Sequence, residues 1–234
     1  MGVRVGVVVF PGSNCDRDTI HALDLAGAEP VVLWHDRASL DGVAAVILPG
    51  GFAYGDYVRA GVIARFSPVM RSVGDFAAGG GLVPGALLRN ASLRFAGREV
   101  AIAAERLDTP FTHALDARRP LRMPVAHGEG RFYAEAATLD ALERDGQVIF
   151  RYVDADGAPA GPDDAGNPNG SLRAIAGVMN AAGNVAGLMP HPERASESIL
   201  GSEDGFGIIR SLVESAARAA NTAVPVAAGS VGTR

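Results

Sequence analysis

The stretch Val3-Arg4-Val5-Gly6-Val7-Val8-Val9-Phe10, broken by Pro11-Gly12-Ser13-Asn14, decides the fold. It is β-branched and almost continuously apolar, as a strand buried on both faces of a parallel sheet must be. Ser13 and Asp16 have the spacing of a capping box, and the helix they open carries Ile20 and Leu23 to Ala26-Gly27. A second strand, Pro30 to Trp34, and a third, Val43 to Leu48, follow, the third stopped by Pro49-Gly50-Gly51. Strand, helix, strand, short helix, strand is the opening of a doubly wound α/β sheet.

Beyond it, Val62, Phe66, Val69, Met70, Val73 and Phe76 recur at helical spacing, with Pro68 placed to kink or divide the helix. A parallel sheet then needs a returning strand of ~4–8 residues. Between Gly79-Gly80-Gly81 and Pro84-Gly85 stand only Leu82 and Val83, so an expected central strand is missing. The second half changes character. Glu99–Ala104, Met123–Ala126 and Gln147–Val153 read as strands. Leu172–Met179 and Val185–Met189 read as a hairpin-like pair. Ala134–Arg144 and Gly205–Ala219 read as helices, and the polar Gly/Pro/Asp run 154–170 reads as a mobile loop. The expected organisation is one domain over 1–219, its central strand deleted near 79–84, and a disordered tail over 220–234.

The 234 residues carry 21 basic and 26 acidic side chains, net −5, which argues against nucleic acid as a partner. Every basic residue is Arg, which excludes Schiff-base and phosphate-loop lysine chemistry. A single cysteine, Cys15, excludes an intrachain disulfide and a Cys-based zinc site. No apolar run reaches the ~18 residues of a membrane span, and no signal peptide is legible, so the expected location is the cytoplasm.

Three places can carry chemistry. Pro49-Gly50-Gly51-Phe52 ends a buried strand, where open α/β sheets place ligands; its N–H groups suit an oxyanion hole, or it is an ordinary glycine turn. His191-Pro192-Glu193 follows a strand and suits a base with its orienting carboxylate, a helix-capping cluster or half a metal site. His127-Gly128-Glu129 repeats the pattern. Joining the two pairs would make a zinc site without a cysteine ligand or a helical His pair, and no metal is expected. Cys15 lies near a helix start, where thiolates are stabilised, and reads either as a cysteine-hydrolase nucleophile or as a free thiol without a role.

Seven segments together resemble a known family: Val9–Asp16, Leu48–Tyr57, Ile63–Phe66, Pro84–Asn90, Pro124–Gly130, Phe150–Tyr152 and Gly187–Arg194. The chain is similar, from about residue 3 to about 216, to the glutaminase subunits of phosphoribosylformylglycinamidine synthase, which are class I (triad-type) glutamine amidotransferases of de novo purine biosynthesis. The resemblance implies a flavodoxin-like α/β fold with an antiparallel portion in its second half. It implies His191 as triad base, Glu193 as its carboxylate, and Gly50, Gly51 and Phe52 at the oxyanion and glutamine pocket. Asn14, His127 and Glu129 fall on signature loops near partner subunits. Those partners would be a large synthetase, which carries ATP and magnesium, and a small accessory subunit; this subunit would need no cofactor. The family's Gly-x-Cys-x-Gly nucleophile elbow falls in the gap and is absent. Cys15 matches a loop cysteine that is not the family nucleophile. The absent elbow favours a rival reading, a catalytically dead pseudo-glutaminase that docks on the synthetase. A stress-protein or peptidase relative of the same sheet would lack the Pro190-His191-Pro192-Glu193 segment and is disfavoured.

Overall fold

The computed structural model describes residues 2–52, 54, 61–77, 83–116, 119–162 and 164–222. The opening segment forms a three-stranded parallel sheet, β1 (Arg4–Val9), β2 (Glu29–Trp34) and β3 (Ala45–Ile47), in the order β2-β1-β3. Strand β1 is central, and its period-2 alternation sorts its side chains between two cores. Val5 and Val7 pack with Leu23 of helix α1 (Asp16–Leu25) and with Ile209 and Val213 of helix α4 (Phe206–Thr222). Val8, with Phe10 just beyond the strand, packs on the other face with Leu33, Ala64 and Val69. Helices thus cover both faces, as the apolar run of β1 demands.

Pro68 divides the long helix as expected. A 3-10 turn over Ala64–Phe66 ends at an extended Ser67, and α2 (Pro68–Ala77) restarts with the proline in its first turn, where no N–H is needed. The expected capping box does not form: Ser13 Oγ accepts instead from the Phe10 N–H at 3.0 Å, and Cys15 occupies the N-cap of α1 without a side-chain cap bond. The tight turn after β1 bends Ser13 back onto the strand end, out of reach of the helix.

Most of the junction near 79–84, residues 78–82, lies outside the described residues. Beyond it, Ala86–Leu88 forms β4, which pairs antiparallel with β7 (Arg131–Tyr133) rather than joining the parallel sheet. Among the described residues β3 has a strand neighbour on one side only. Among those residues β3 is thus a sheet edge, only three residues long, with Leu48 beside it about half exposed.

The second half is a five-stranded antiparallel sheet in the order β10-β9-β8-β5-β6. Its strands are β5 (Ala96–Ala104), β6 (Leu121–His127), β8 (Val148–Tyr152), β9 (Ile175–Met179) and β10 (Ala186–Leu188). Helix α3 (Ala136–Arg144) packs Leu139 and Leu142 against Val148 and Val178. Two expectations need correction. The 154–170 loop is anchored at its end, where buried Asn167 and Asn169 both accept from the Ser171 N–H at 3.0 Å. Helix α4 runs three residues into the segment read as tail, because Thr222 folds its hydroxyl back onto the carbonyls of Arg218 and Ala219. The tail beyond it, 223–234, lies outside the described residues.

Candidate active site

The two glycines after β3, the loop after β1 and the segment after β10 converge. The loop after β1 is pinned to the glycine turn: Ser13 bridges Gly51, and the Tyr54 N–H donates to Pro11 O at 2.7 Å. A Cβ at Gly51 would fall 2.9 Å from both the backbone N and the Oδ1 of Asn14, so the close approach requires glycine there. Gly50 faces the catalytic candidates. A Cβ on it would sit 2.7 Å from His191 Cε1 and 3.6 Å from Cys15 Sγ. Phe52, the third expected pocket residue, is about half exposed at the rim of this turn.

His191 follows β10. Its N–H donates to Pro124 O at 2.9 Å on β6, which fixes the chain where Pro192 starts a 3-10 turn. That turn swings Glu193 back onto its own histidine, with Nδ1 and Oε1 2.7 Å apart. Glu193 is buried and its backbone carbonyl accepts from Ser196 Oγ, so the carboxylate has a fixed aim. Burial pulls the His191 pKa down, but hydrogen bonds with Cys15 and Glu193 and the charge of the carboxylate outweigh it and hold the ring at about 9. An imidazole oriented by a carboxylate is the base-and-orienter pair of triad hydrolases.

Cys15 joins this pair. Its Sγ lies 3.8 Å from His191 Nδ1, and Arg194 Nη2 donates to the sulfur at 3.2 Å while Arg194 Nε donates to Asp18 Oδ2 at 3.0 Å. The sequence leaves Cys15 open between a nucleophile and a free thiol, and gives no role to Arg194 or Asp18. The available signal was local: Arg194 ends the His191-Pro192-Glu193 segment, and Asp18 lies one turn into α1 from Cys15. The Sγ, the imidazole nitrogen and the Glu193 oxygen lie within 4.8 Å of one another and could hold a metal ion. A cation entering there would have to displace the His191 proton and sit beside the Arg194 guanidinium, so the arrangement suits proton transfer better than ligation.

The other His-x-Glu segment is built differently. His127 is buried at the end of β6, its Nδ1 at 3.0 Å from Asn90 Oδ1 and its Nε2 at 3.4 Å from Asn169 Nδ2. The geometry assigns the ring proton to Nδ1, which donates to Asn90, and leaves Nε2 to accept. Burial, then the charge of His191, pushes its pKa down to about 4. A Cβ at Gly130 would overlap the His127 ring, which accounts for the glycine in His127-Gly128-Glu129-Gly130. On its signature loop, the His127 side chain is an internal strut, because two amides satisfy both ring nitrogens away from solvent. Glu129 turns from its histidine toward Arg89, 3.9 Å away, and Asn14 remains exposed beside Gly51.

Comparison with known proteins agrees with this geometry. The model of the CobB/CobQ-like glutamine amidotransferase domain matches residues 2–78 and 81–203, with the break inside the Gly79-Gly80-Gly81 run. The chain is 52% identical over 230 residues to the phosphoribosylformylglycinamidine synthase subunit PurQ of Rubrobacter xylanophilus, covering 92% of this chain and 99% of that protein. It is 52% identical over 227 residues to the PurQ subunit of Chlorobaculum tepidum, covering 90% and 96%. Among solved structures, PurLQS from Thermotoga maritima matches with a TM-score of 0.78 at 40% identity, over 92% of this chain and 99% of the matched one. A glutamine amidotransferase from Thermotoga maritima, 15% identical with a TM-score of 0.54, shares the fold. With the His191–Glu193 pair set against the Gly50-Gly51 turn and these relatives matched over nearly their whole length, the chain belongs to the glutamine amidotransferase family of phosphoribosylformylglycinamidine synthase PurQ subunits.

Proposed function

We propose that this chain is the glutamine-hydrolysing subunit of phosphoribosylformylglycinamidine synthase. It releases ammonia from the side-chain amide of glutamine. A large synthetase partner uses that ammonia, with ATP and magnesium, to convert formylglycinamide ribonucleotide to its amidine. A small accessory subunit completes the assembly. The observation that carries this reading is the buried His191–Glu193 pair at 2.7 Å, lying against a glycine whose side chain would collide with the histidine. Backbone N–H groups of the Gly50-Gly51 turn would hold the tetrahedral oxyanion, and the imidazolium of His191 would protonate the departing ammonia. Glu193 fixes the tautomer and neutralises the imidazolium. No cofactor is assigned to this subunit: with no lysine in the chain, a phosphate-loop nucleotide site has no basis here. The docking-only alternative is not favoured by relatives that are themselves synthase subunits over almost their full length.

The test is reconstitution with the synthetase and the accessory subunit, with glutamine or ammonia as nitrogen donor. Amidine formation from glutamine, with glutamate released in equal amount, is the expected result. A complex that runs on ammonia and is inert to glutamine would refute it.

A further inference from the structure

An oxyanion hole works only if its donors stay where the negative charge will develop. The Gly50-Gly51 turn is held at its start by β3, which pairs with β1. Its far end is held by a tyrosine. Tyr54, three residues beyond Gly51, has a φ of 55°, a left-handed backbone that a residue with a Cβ keeps only where its surroundings enforce it. Its N–H donates to Pro11 O at 2.7 Å, and Phe52 O lies so close to Gly12 that a Cβ there would overlap it. The half-buried side chain packs against the core of Phe10 and Val69. Its hydroxyl lies 3.0 Å from His35 Nδ1 and 3.0 Å from Ser67 Oγ. One phenol, with a proton to give and lone pairs to receive, satisfies both.

Both partners are themselves fixed. His35 follows β2; its N–H donates to Val9 O at 3.0 Å, and its carbonyl accepts from the Val69 N–H at 3.2 Å. Its ring stands edge-to-face with those of Trp34 and Tyr54. Ser67 is buried at the break between the 3-10 turn and α2. The phenol is thus clamped between the end of β2 and the start of α2, while its own backbone rests on the loop after β1.

We propose that Tyr54 is a positioning residue for the oxyanion site: clamped by His35 and Ser67, its hydroxyl keeps the Gly50-Gly51 turn against the loop after β1. The inference rests on the proposed glutaminase function and names what sets the geometry of the donors that function uses. Tyr54 touches no substrate and moves no proton. Without the hydroxyl, the ring keeps its core and His35 and Ser67 are left to each other, 3.5 Å apart. What is lost is the restraint on a left-handed backbone, and the turn relaxes. Displaced donors weaken the transition state and leave ground-state binding of glutamine nearly alone, so the loss falls on kcat rather than on KM. Deleting an oxyanion donor outright costs ~10²–10³ in kcat, and displacing one should cost about 10-fold.

The test compares the chain with Tyr54→Phe, each assembled with the synthetase and the accessory subunit. Peptides carrying Ser13 and Gly51 should exchange their backbone amide protons about 10-fold faster in the variant, with the antiparallel sheet unchanged. The kcat for glutamine should fall about 10-fold with KM within about 2-fold, and ammonia use should continue. Ser67→Ala should lower kcat by less, because His35 still holds the phenol. Added to Tyr54→Phe it should cost nothing more, as for two groups of one clamp. Should Tyr54→Phe fail to fold, Ser67→Ala carries the same comparison on a smaller scale. Unaltered exchange, an unaltered kcat or additive losses would overturn the proposal. A kcat loss abolished by cooling would report a smaller folded fraction and overturn it likewise. The two readings fail differently. An unaltered complex that uses ammonia but not glutamine removes the glutaminase, and this role with it. An unaltered complex that uses glutamine, matched by Tyr54→Phe, removes Tyr54 alone.

Discussion

The two His-x-Glu segments, 127–129 and 191–193, share a pattern and have opposite physics. Each histidine lies at or just beyond a strand end, is largely buried and is followed two residues on by a glutamate. At 191–193 a 3-10 turn returns the carboxylate to the ring and raises the histidine pKa to about 9. At 127–129 glycines flank the glutamate, which turns outward; Asn90 and Asn169 hydrogen-bond the ring, and burial, then the charge of His191, pushes its pKa to about 4. The cation on His191 contributes to the depression of His127. A motif of this length specifies residue types; what turns one copy into a base and the other into a strut is whether the partner facing the ring is a carboxylate or an amide.

The largest effect expected from breaking this contrast is at His191. His191→Ala should lower glutamine-dependent amidine formation by ~10²–10⁴-fold while ammonia-dependent formation by the synthetase continues. Near-normal glutamine use would remove His191 from the chemistry. Glu193→Gln should cost less but still substantially, and should lower the His191 pKa, visible in its imidazole resonances across a pH titration. On the structural side, Asn90→Ala should destabilise the fold by roughly 2–4 kcal/mol in urea unfolding. It strands the His127 ring N–H and the Gly130 N–H, and removes donors to the carbonyls of Arg94 and His127. A loss under about 1 kcal/mol would mean the strut is dispensable.

The contrast also predicts the pH profile of stability. His127 has a folded pKa near 4 against 6.5 for the free residue, so the unfolded chain binds more protons between those values and stability rises with pH there. His191 has a folded pKa near 9, so the folded chain binds more protons between 6.5 and 9 and stability falls as pH rises through that window. The contribution of the two histidines therefore peaks near pH 6.5, and melting temperature should decline on both sides of it. His127→Gln should flatten the acid limb and His191→Gln the alkaline one. The smallest effect belongs to Glu129→Gln, which should leave the His127 titration in place, since burial and the His191 charge dominate that shift. A displaced titration would show that Glu129 acts on its histidine after all.

Much of this protein was legible without coordinates. The unbroken apolar run of β1 announced a strand covered on both faces, and Pro68 announced a divided helix, because these signals are local and period-bound. β4 and β7 escaped, being three residues each with no alternation to read. The capping box misled because spacing says nothing about which way a turn bends. Gly50, Gly51, His191 and Glu193, which the structure brings together, could be singled out because each sits where its own strand ends.

What composition and pattern determined by themselves is the α/β class, the absence of lysine chemistry and the presence of a single thiol, since counts and periodicities belong to the chain before it folds. Which histidine becomes the base, and whether the lone thiol has company, were decided only in three dimensions. Cys15 and His191 meet because β1 and the segment after β10 deliver their ends to the same place, and His127 is silenced by burial beneath packed chain, where Asn90 and Asn169 arrive from two other loops to hold its ring. Contacts between residues 37 to 176 positions apart leave no trace in local spacing. Their energies depend on distance and burial, which only the packed chain possesses.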